Sequence, residues 1–329
     1  MTSKKVFCLV LGALLVPLGL PATAQQPMKV PRIGYLIGSS SFASSARIPP
    51  FRQGLRELGY MEGKNIIIEW RFAEGKPDRL PALAAELVRL KVDVIVTAGP
   101  VPTRAAKEAT ITIPIVMAQD SDPVANGFVA SLARPGGNIT GLSTLRPELS
   151  GKQLELLTEI FPKLSRVAVF GTSIYPGNAQ ALKEIELAAK AFGVKLQYLD
   201  VLDPKDIETA FRAASKGRAD AVLMMVVGFV VGGHRTEIAA LAVKSRLPAI
   251  YNVPEFVEAG GLMFYGVNVN ELDRRAATYV DKILKGAKPA DLPVEQPKKF
   301  EFIVNLNAAK QIGLTIPPGV LARADKVIK

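Results

Sequence analysis

The sequence is poor in the side chains that carry most covalent and metal chemistry. It has one cysteine, Cys8, and one histidine, His234, among 329 residues. Cys8 lies within an apolar run, Val6 to Leu20, that follows Lys4 and Lys5 and precedes Ala22-Thr23-Ala24. A basic start, a short apolar stretch and a small-x-small site read as a secretory signal, residues 1–24, cleaved after Ala24. The run is too short, and too broken by Gly12, Pro17 and Gly19, to read as a membrane anchor. Setting the signal aside removes the only cysteine and with it disulfides and thiol chemistry, and a mature chain of about 300 residues is large enough to fold without such staples. A single histidine without cysteine cannot build an ordinary zinc site. Gly232-Gly233-His234-Arg235 reads instead as a helix start with a capping or surface histidine.

The familiar catalytic and nucleotide motifs are missing as well. There is no Gly-x-Ser-x-Gly, P-loop or His-Glu-x-x-His, and no Gly-x-Gly-x-x-Gly follows the first strand. Asp120 and Asp122 form a short acidic pair, but Asp122 before Pro123 reads as a helix cap rather than a metal ligand. No catalytic residue, cofactor or metal is expected. Basic runs with interleaved aromatics are also absent. Without Lys4 and Lys5, 39 basic residues stand against 30 acidic ones, and they are scattered along helices as a solvated surface rather than a nucleic-acid footprint.

What is present is an internal repeat. Arg32-Ile33-Gly34-Tyr35-Leu36-Ile37 returns in pattern as Arg166-Val167-Ala168-Val169-Phe170-Gly171. Leu58-Gly59, before one strand, returns as Phe192-Gly193 before another, Val92-Asp93-Val94 as Ala219-Asp220-Ala221, and Ile113-Pro114-Ile115-Val116 as Leu247-Pro248-Ala249-Ile250. Two copies of one unit imply two similar lobes with a cleft between them. Short runs apolar on both faces, at Ile33–Ile37, Asp93–Thr97, Ile113–Ala118, Val167–Phe170, Ala221–Val227 and Ala249–Val253, suit parallel strands covered on both sides. Amphipathic helices are expected at Asp78–Lys91, Asn178–Phe192, Asp203–Lys216 and Asn270–Lys285. The alternation predicts an α/β fold of two Rossmann-like lobes with parallel sheets flanked by helices and joined by three crossovers. Lobe one is expected over 29–146 plus about 270–297, and lobe two over 147–266 plus about 300–329.

In open α/β sheets ligands sit beyond the carboxyl ends of the strands. The loops expected there contribute Ser39, Ser40 and Ser41, then Pro100 and Thr103, then Gln119 and Asp120 from lobe one. Lobe two contributes Thr172, Ser173 and Tyr175, then Gly228 and Phe229, then Tyr251, Asn252 and Glu255. Helix N-termini and hydroxyls would receive a carboxylate, Asp120 or Glu255 an ammonium group, and Tyr175, Phe229, Tyr251 and Phe256 would supply aromatic walls.

These segments carry a resemblance. Phe51-Arg52-Gln53-Gly54-Leu55-Arg56-Glu57-Leu58-Gly59-Tyr60, Ala133-Arg134-Pro135-Gly136-Gly137-Asn138, Glu255-Phe256-Val257-Glu258-Ala259-Gly260-Gly261 and Gly313-Leu314-Thr315-Ile316-Pro317-Pro318 span the mature chain. In them the sequence resembles the substrate-binding proteins of ABC importers, of the tryptophan/tyrosine type, with the type I periplasmic-binding fold. The resemblance implies capture of a small-molecule solute, an amino acid or aromatic acid, in the cleft by hinge closure. It also implies delivery to a permease at the inner membrane, and a periplasmic protein, expected to be a monomer, without nucleic-acid partners. The same architecture would serve a sensor that presents solute to a membrane receptor. One stretch departs from the family pattern: Val227-Gly228-Phe229-Val230-Val231 is apolar where relatives commonly carry polar or acidic groups.

Overall fold

Each half of the chain opens on a six-residue strand that becomes the second strand of its own sheet. The computed structural model describes residues 30–41, 44, 45, 47–225 and 232–329. Residues 1–24, expected to be a signal, and Gly228 and Phe229 lie outside the described residues. The first sheet comprises β1 (Arg32–Ile37), β2 (Ile67–Phe72), β3 (Val94–Ala98), β4 (Ile115–Asp120) and β5 (Ile139–Ser143). Its order is β2-β1-β3-β4-β5, parallel throughout. The second holds β6 (Arg166–Gly171), β7 (Lys195–Asp200), β8 (Ala221–Met224), β9 (Ala249–Tyr251), β10 (Met263–Val267), β11 (Phe300–Asn305) and β12 (Lys326–Ile328). Its order is β12-β11-β10-β9-β8-β6-β7, and only the β10–β11 pair is antiparallel. The run β7-β6-β8-β9-β10 repeats β2-β1-β3-β4-β5, so the sequence repeat is a repeat of topology.

The repeated aspartates show how the pattern works locally. Asp93 Oδ2 accepts from the Arg32 amide at 2.8 Å, and Asp220 Oδ2 accepts from the amides of Ser165 and Arg166 at 2.8 and 2.9 Å. In each lobe a carboxylate at the head of the third strand ties down the head of the first. Both opening strands are fully apolar on two faces because helices cover both. On the first sheet, Ile33, Tyr35, Val94 and Val116 pack against Phe51 and Leu55 of helix Ile48–Glu57, and against Leu272, Ala276 and Val280 of helix Val269–Leu284. Its other face packs Leu36, Ile95 and Met117 against Leu80, Leu83 and Leu87 of helix Leu80–Arg89. The second sheet is covered by helices Arg146–Ile160 and Asn178–Phe192 on one face and Asp206–Lys216 and Arg235–Lys244 on the other.

The chain passes between the sheets three times. It leaves the first after β5 for helix Arg146–Ile160, returns after β10 into helix Val269–Leu284, and leaves again before β11. The first and third passages are bound together: Leu142 bridges Glu295, and the Ser143 amide donates to the Glu295 carbonyl at 2.9 Å. Arg275 clamps the Glu295 carboxylate through two nitrogens at 3.0–3.2 Å. Gly54 lets helices Ile48–Glu57 and Val269–Leu284 approach closely, since a Cβ there would stand 2.2 Å from the Arg274 carbonyl.

Two expectations shift. The helix expected from Asp203 begins at Asp206, because Asp203 caps a preceding turn, accepting from the Lys205 amide at 3.0 Å. Strands β2 and β7 are expected only as the strands that follow Leu58-Gly59 and Phe192-Gly193, without bounds. Both are edge strands whose side chains are largely half-exposed, so Glu69, Arg71, Gln197 and Asp200 interrupt the continuous apolar signal of the inner strands.

Candidate ligand-binding site between the lobes

The carboxyl ends of the two sheets face each other. A Cβ built on Gly99, after β3, would lie 3.5 Å from the Tyr175 hydroxyl, after β6. One built on Gly177 would lie 2.5 Å from Ser121 Oγ, after β4. The lobes therefore meet along this rim. Behind it, against the crossings, lies a narrow cavity of ≈ 20 Å³ lined by Thr144, Arg146, Gln153, Asn178, Asn252 and Val267 among others. That holds about one water.

Two arginines dominate the cleft electrostatically. Arg146 begins the first helix after the first crossing, and Arg47 directly precedes helix Ile48–Glu57. Neither guanidinium has a hydrogen-bond or ion-pair partner among the described residues. Burial draws the Arg146 pKa down, Tyr175 and Asp120 pull it back up, and Arg47 depresses it further. Tyr175 is raised by burial, with Arg146 and Arg47 acting against the rise. The cleft therefore carries two fork-shaped donors whose hydrogens have no partner among the described residues.

Buried polar atoms without partners accompany them, acceptors and one amide donor, Gln119 Nε2. Asp120 is buried; its Oδ1 accepts from Asn126 Nδ2 at 2.8 Å and the Asp122 amide at 3.1 Å, while Oδ2 has no partner. Burial pushes its pKa up to about 7. Asn252 Oδ1, Gln119 Nε2, Glu255 Oε2 and the Tyr251 hydroxyl are likewise buried and unpartnered. Such groups are rare in folded proteins and point to a missing partner.

The expected hydroxyls are placed differently. Thr103 Oγ1 is shared between Thr97 Oγ1 at 2.7 Å and the Gly99 carbonyl at 2.8 Å, closing the first turn of helix Pro100–Ala109, which Pro100 opens. Thr172 Oγ1 donates to the Val201 carbonyl at 2.7 Å, and Ser173 binds Asp200 through Oγ at 2.5 Å and its amide at 2.8 Å. Ser39 pairs with Ser44 at 2.6 Å, the Ser40 carbonyl accepts from the Ser44 amide, and the Ser41 amide donates to Glu74 at 3.3 Å. These groups shape the loops. Tyr251 and Phe256 stack on each other in the lobe-two core, centroids 4.8 Å apart, which leaves Tyr175 as the half-buried aromatic at the rim. His234 sits at the surface against Glu237 at 2.8 Å.

Sequence reasoning missed Arg47 and Arg146 because a scattered arginine reads as surface charge. Their signal was position: Arg146 ends the first repeat unit immediately before Pro147, and Arg47 precedes the paired prolines Pro49 and Pro50 in the loop after β1.

Two lobes on largely parallel sheets, meeting along the carboxyl ends of their strands, define a type I periplasmic-binding fold, the class that captures small molecules. The chain belongs to the family of ABC transporter substrate binding proteins, which matches residues 43–328. It is 26% identical over 265 residues, 80% of this chain and 75% of the relative, to a tyrosine-binding protein of Clostridioides difficile. A Streptococcus pneumoniae ABC domain in complex with L-Trp superposes with a TM-score of 0.84 at 25% identity, covering 91% of this chain and 99% of the other. A ligand-free, open substrate-binding protein with adhesive properties from Clostridium difficile, also 25% identical with the same coverage, gives 0.69.

Proposed function

We propose that the protein is the periplasmic solute-binding component of an ABC importer and that its cleft takes an α-amino acid, with an aromatic side chain as the leading class. The observation that carries this reading is the pairing of two partnerless arginines with partnerless acceptors in one cleft. An anion alone would leave Asp120 Oδ2 and Asn252 Oδ1 unsatisfied, and a cation alone would leave Arg47 and Arg146 so. A zwitterion answers both, its carboxylate on the arginines and its ammonium on Asp120. Tyr175 offers the ligand side chain an aromatic surface, and the named ligands of the two relatives are aromatic amino acids.

Residues 1–24 act as the export signal in this reading. Residues 29–146 with about 270–297 form one lobe, 147–266 with about 300–329 the other, and the three crossings act as a hinge in a monomer. Higher structural similarity to the L-Trp complex than to the open protein, at equal identity, supports a closed arrangement here. A ligand bridging both lobes would favour that state by its differential affinity.

Calorimetric titration of the mature protein with L-tyrosine, L-tryptophan and the matching acids that lack the amine tests the reading. Binding of the amino acids with at least tenfold preference over the amine-free acids is expected. Folded protein that binds the amine-free acids as tightly, or binds no amino acid, would sink it.

A further inference from the structure

Among the described residues, five other than glycine hold a left-handed backbone: Glu74, Lys91, Leu145, Arg218 and Arg246. Lys91, Arg218 and Arg246 follow the ends of helices Leu80–Arg89, Asp206–Lys216 and Arg235–Lys244, where that conformation is ordinary, and Glu74 precedes Gly75 in a turn. Leu145 differs from all four. It precedes a helix, with φ +51° and ψ +35°, and it lies in the first passage between the sheets. Residues 268 and 296–299, which make the other two passages, hold no left-handed backbone. Packing does not ask for leucine here either. The residue is half-exposed and joins none of the four apolar clusters of the described residues.

Both neighbours of Leu145 are fixed, each to a different lobe. The Thr144 amide and hydroxyl donate to the Asp120 carbonyl at 2.7 and 3.1 Å, and the Ser143 amide donates to the Glu295 carbonyl, so the chain as far as residue 144 belongs to the first sheet. Arg146 opens helix Arg146–Ile160, whose Leu154, Leu157 and Ile160 pack on the second sheet. The Leu145 carbonyl already accepts from the Leu149 amide of that helix at 3.1 Å. The dihedral angles of one residue therefore stand between Thr144, fastened to Asp120, and Arg146. These are the two poles assigned above to the ligand's ammonium and carboxylate.

A left-handed backbone lowers the population of a leucine about tenfold, and such a residue persists only where its surroundings impose it. We infer that Leu145 is a positioning residue of the hinge: its left-handed state belongs to the closed arrangement, is released when the lobes open, and so biases the ligand-free protein towards the open form. Glycine would hold the same angles without cost, asparagine at small cost, and valine, with its branched Cβ, less readily than leucine. A ligand that bridges Asp120 and Arg146 offsets the bias, and its apparent affinity scales with the closed share of the free protein. The inference rests on the hinge closure proposed above, but not on the identity of the ligand.

The test needs no ligand. From residue 25 onward the chain has no cysteine, so Val124→Cys in lobe one and Leu187→Cys in lobe two, both at exposed positions, can carry spin labels for distance measurement by pulsed electron resonance. The closed form is the arrangement described here. Leu145→Gly is expected to raise the closed-to-open ratio about tenfold, Leu145→Asn to raise it severalfold, and Leu145→Val to lower it. One small and one polar replacement thus move together while an apolar one moves the other way. That order follows the backbone, and loss of a leucine contact would not produce it. Arg246→Gly, which relaxes the same backbone state at a helix end inside lobe two, is expected to leave the ratio unchanged. Two populations whose ratio in Leu145→Gly equals that of wild type overturn the inference and leave the hinge standing. So does a shift in Leu145→Val of the same sign as in Leu145→Gly, or an equal shift in Arg246→Gly. A single distance in wild type and in every variant overturns both.

Discussion

Asp120 is held by two donors on one oxygen and by none on the other, and that asymmetry makes its role measurable. Its pKa, pushed up to about 7 by burial, means that the empty site is substantially protonated at neutral pH. A ligand ammonium must meet the carboxylate, so affinity for an amino acid should fall about tenfold per pH unit below that value. Asp120→Asn should lower affinity by about 1.5–3 kcal/mol and remove this pH dependence, as read by titration calorimetry between pH 5.5 and 8. Thr103 behaves otherwise. With its hydroxyl spent on Thr97 and Gly99, Thr103→Ala should cost about 1 kcal/mol of stability and leave affinity within about twofold, measured by denaturant unfolding and binding in parallel. Arg146→Ala should do the reverse, weakening binding at least tenfold with little loss of stability, because it has no partner to lose.

At the scale of elements, the inner strands, the helix Asn178–Phe192 and the alternation that sets the fold class were legible in the sequence, since continuous apolar runs and a 3.6-residue stripe are written into single stretches of chain. The edge strands β2 and β7 were legible only through the helix ends Leu58-Gly59 and Phe192-Gly193 before them, and their bounds were not, because half-exposed positions admit charge. The candidate site was legible as loops and only partly as atoms. Ser, Thr and Asp mark the strand ends correctly, but whether a hydroxyl serves the ligand or its own loop depends on a neighbour up to 30 residues away, as between Thr172 and Val201 or Ser173 and Asp200. The rim shows the same dependence. Gly177 has φ +87°, and its missing Cβ is what lets helix Asn178–Phe192 approach Ser121 of the other lobe. Gly177→Ala should impose about 1 kcal/mol of backbone strain in either state and a clash only in the closed one. Ligand affinity is expected to drop about tenfold, and Ser121→Gly in the same chain to restore part of it; affinity equal to wild type in Gly177→Ala would mean that the lobes do not meet at this rim when ligand is bound.

At the scale of the whole molecule, two buried acids govern stability against pH. Asp120 and Asp273 both titrate near 7 in the native state against an ordinary value of 3.8. The native state therefore binds more protons than the unfolded one between about pH 4 and 7, and their contribution to stability declines across that window and is constant beyond it. The melting temperature of the ligand-free protein should fall from pH 5 to pH 7, and the Asp120→Asn, Asp273→Asn double variant should flatten the decline by several degrees in a thermal scan.

The way the chain crosses between its sheets also dictates an order of assembly. The first sheet lacks one of its two covering helices on one face until residues 269–284 have been made, and the second lacks β11 and β12 until residues 300–328 exist. Neither lobe is a contiguous piece of sequence that can fold and wait for the other. A growing chain cut short before residue 269 carries two unfinished cores with apolar faces bare to water, and lobe one, which begins first and is interrupted by lobe two, is completed before it.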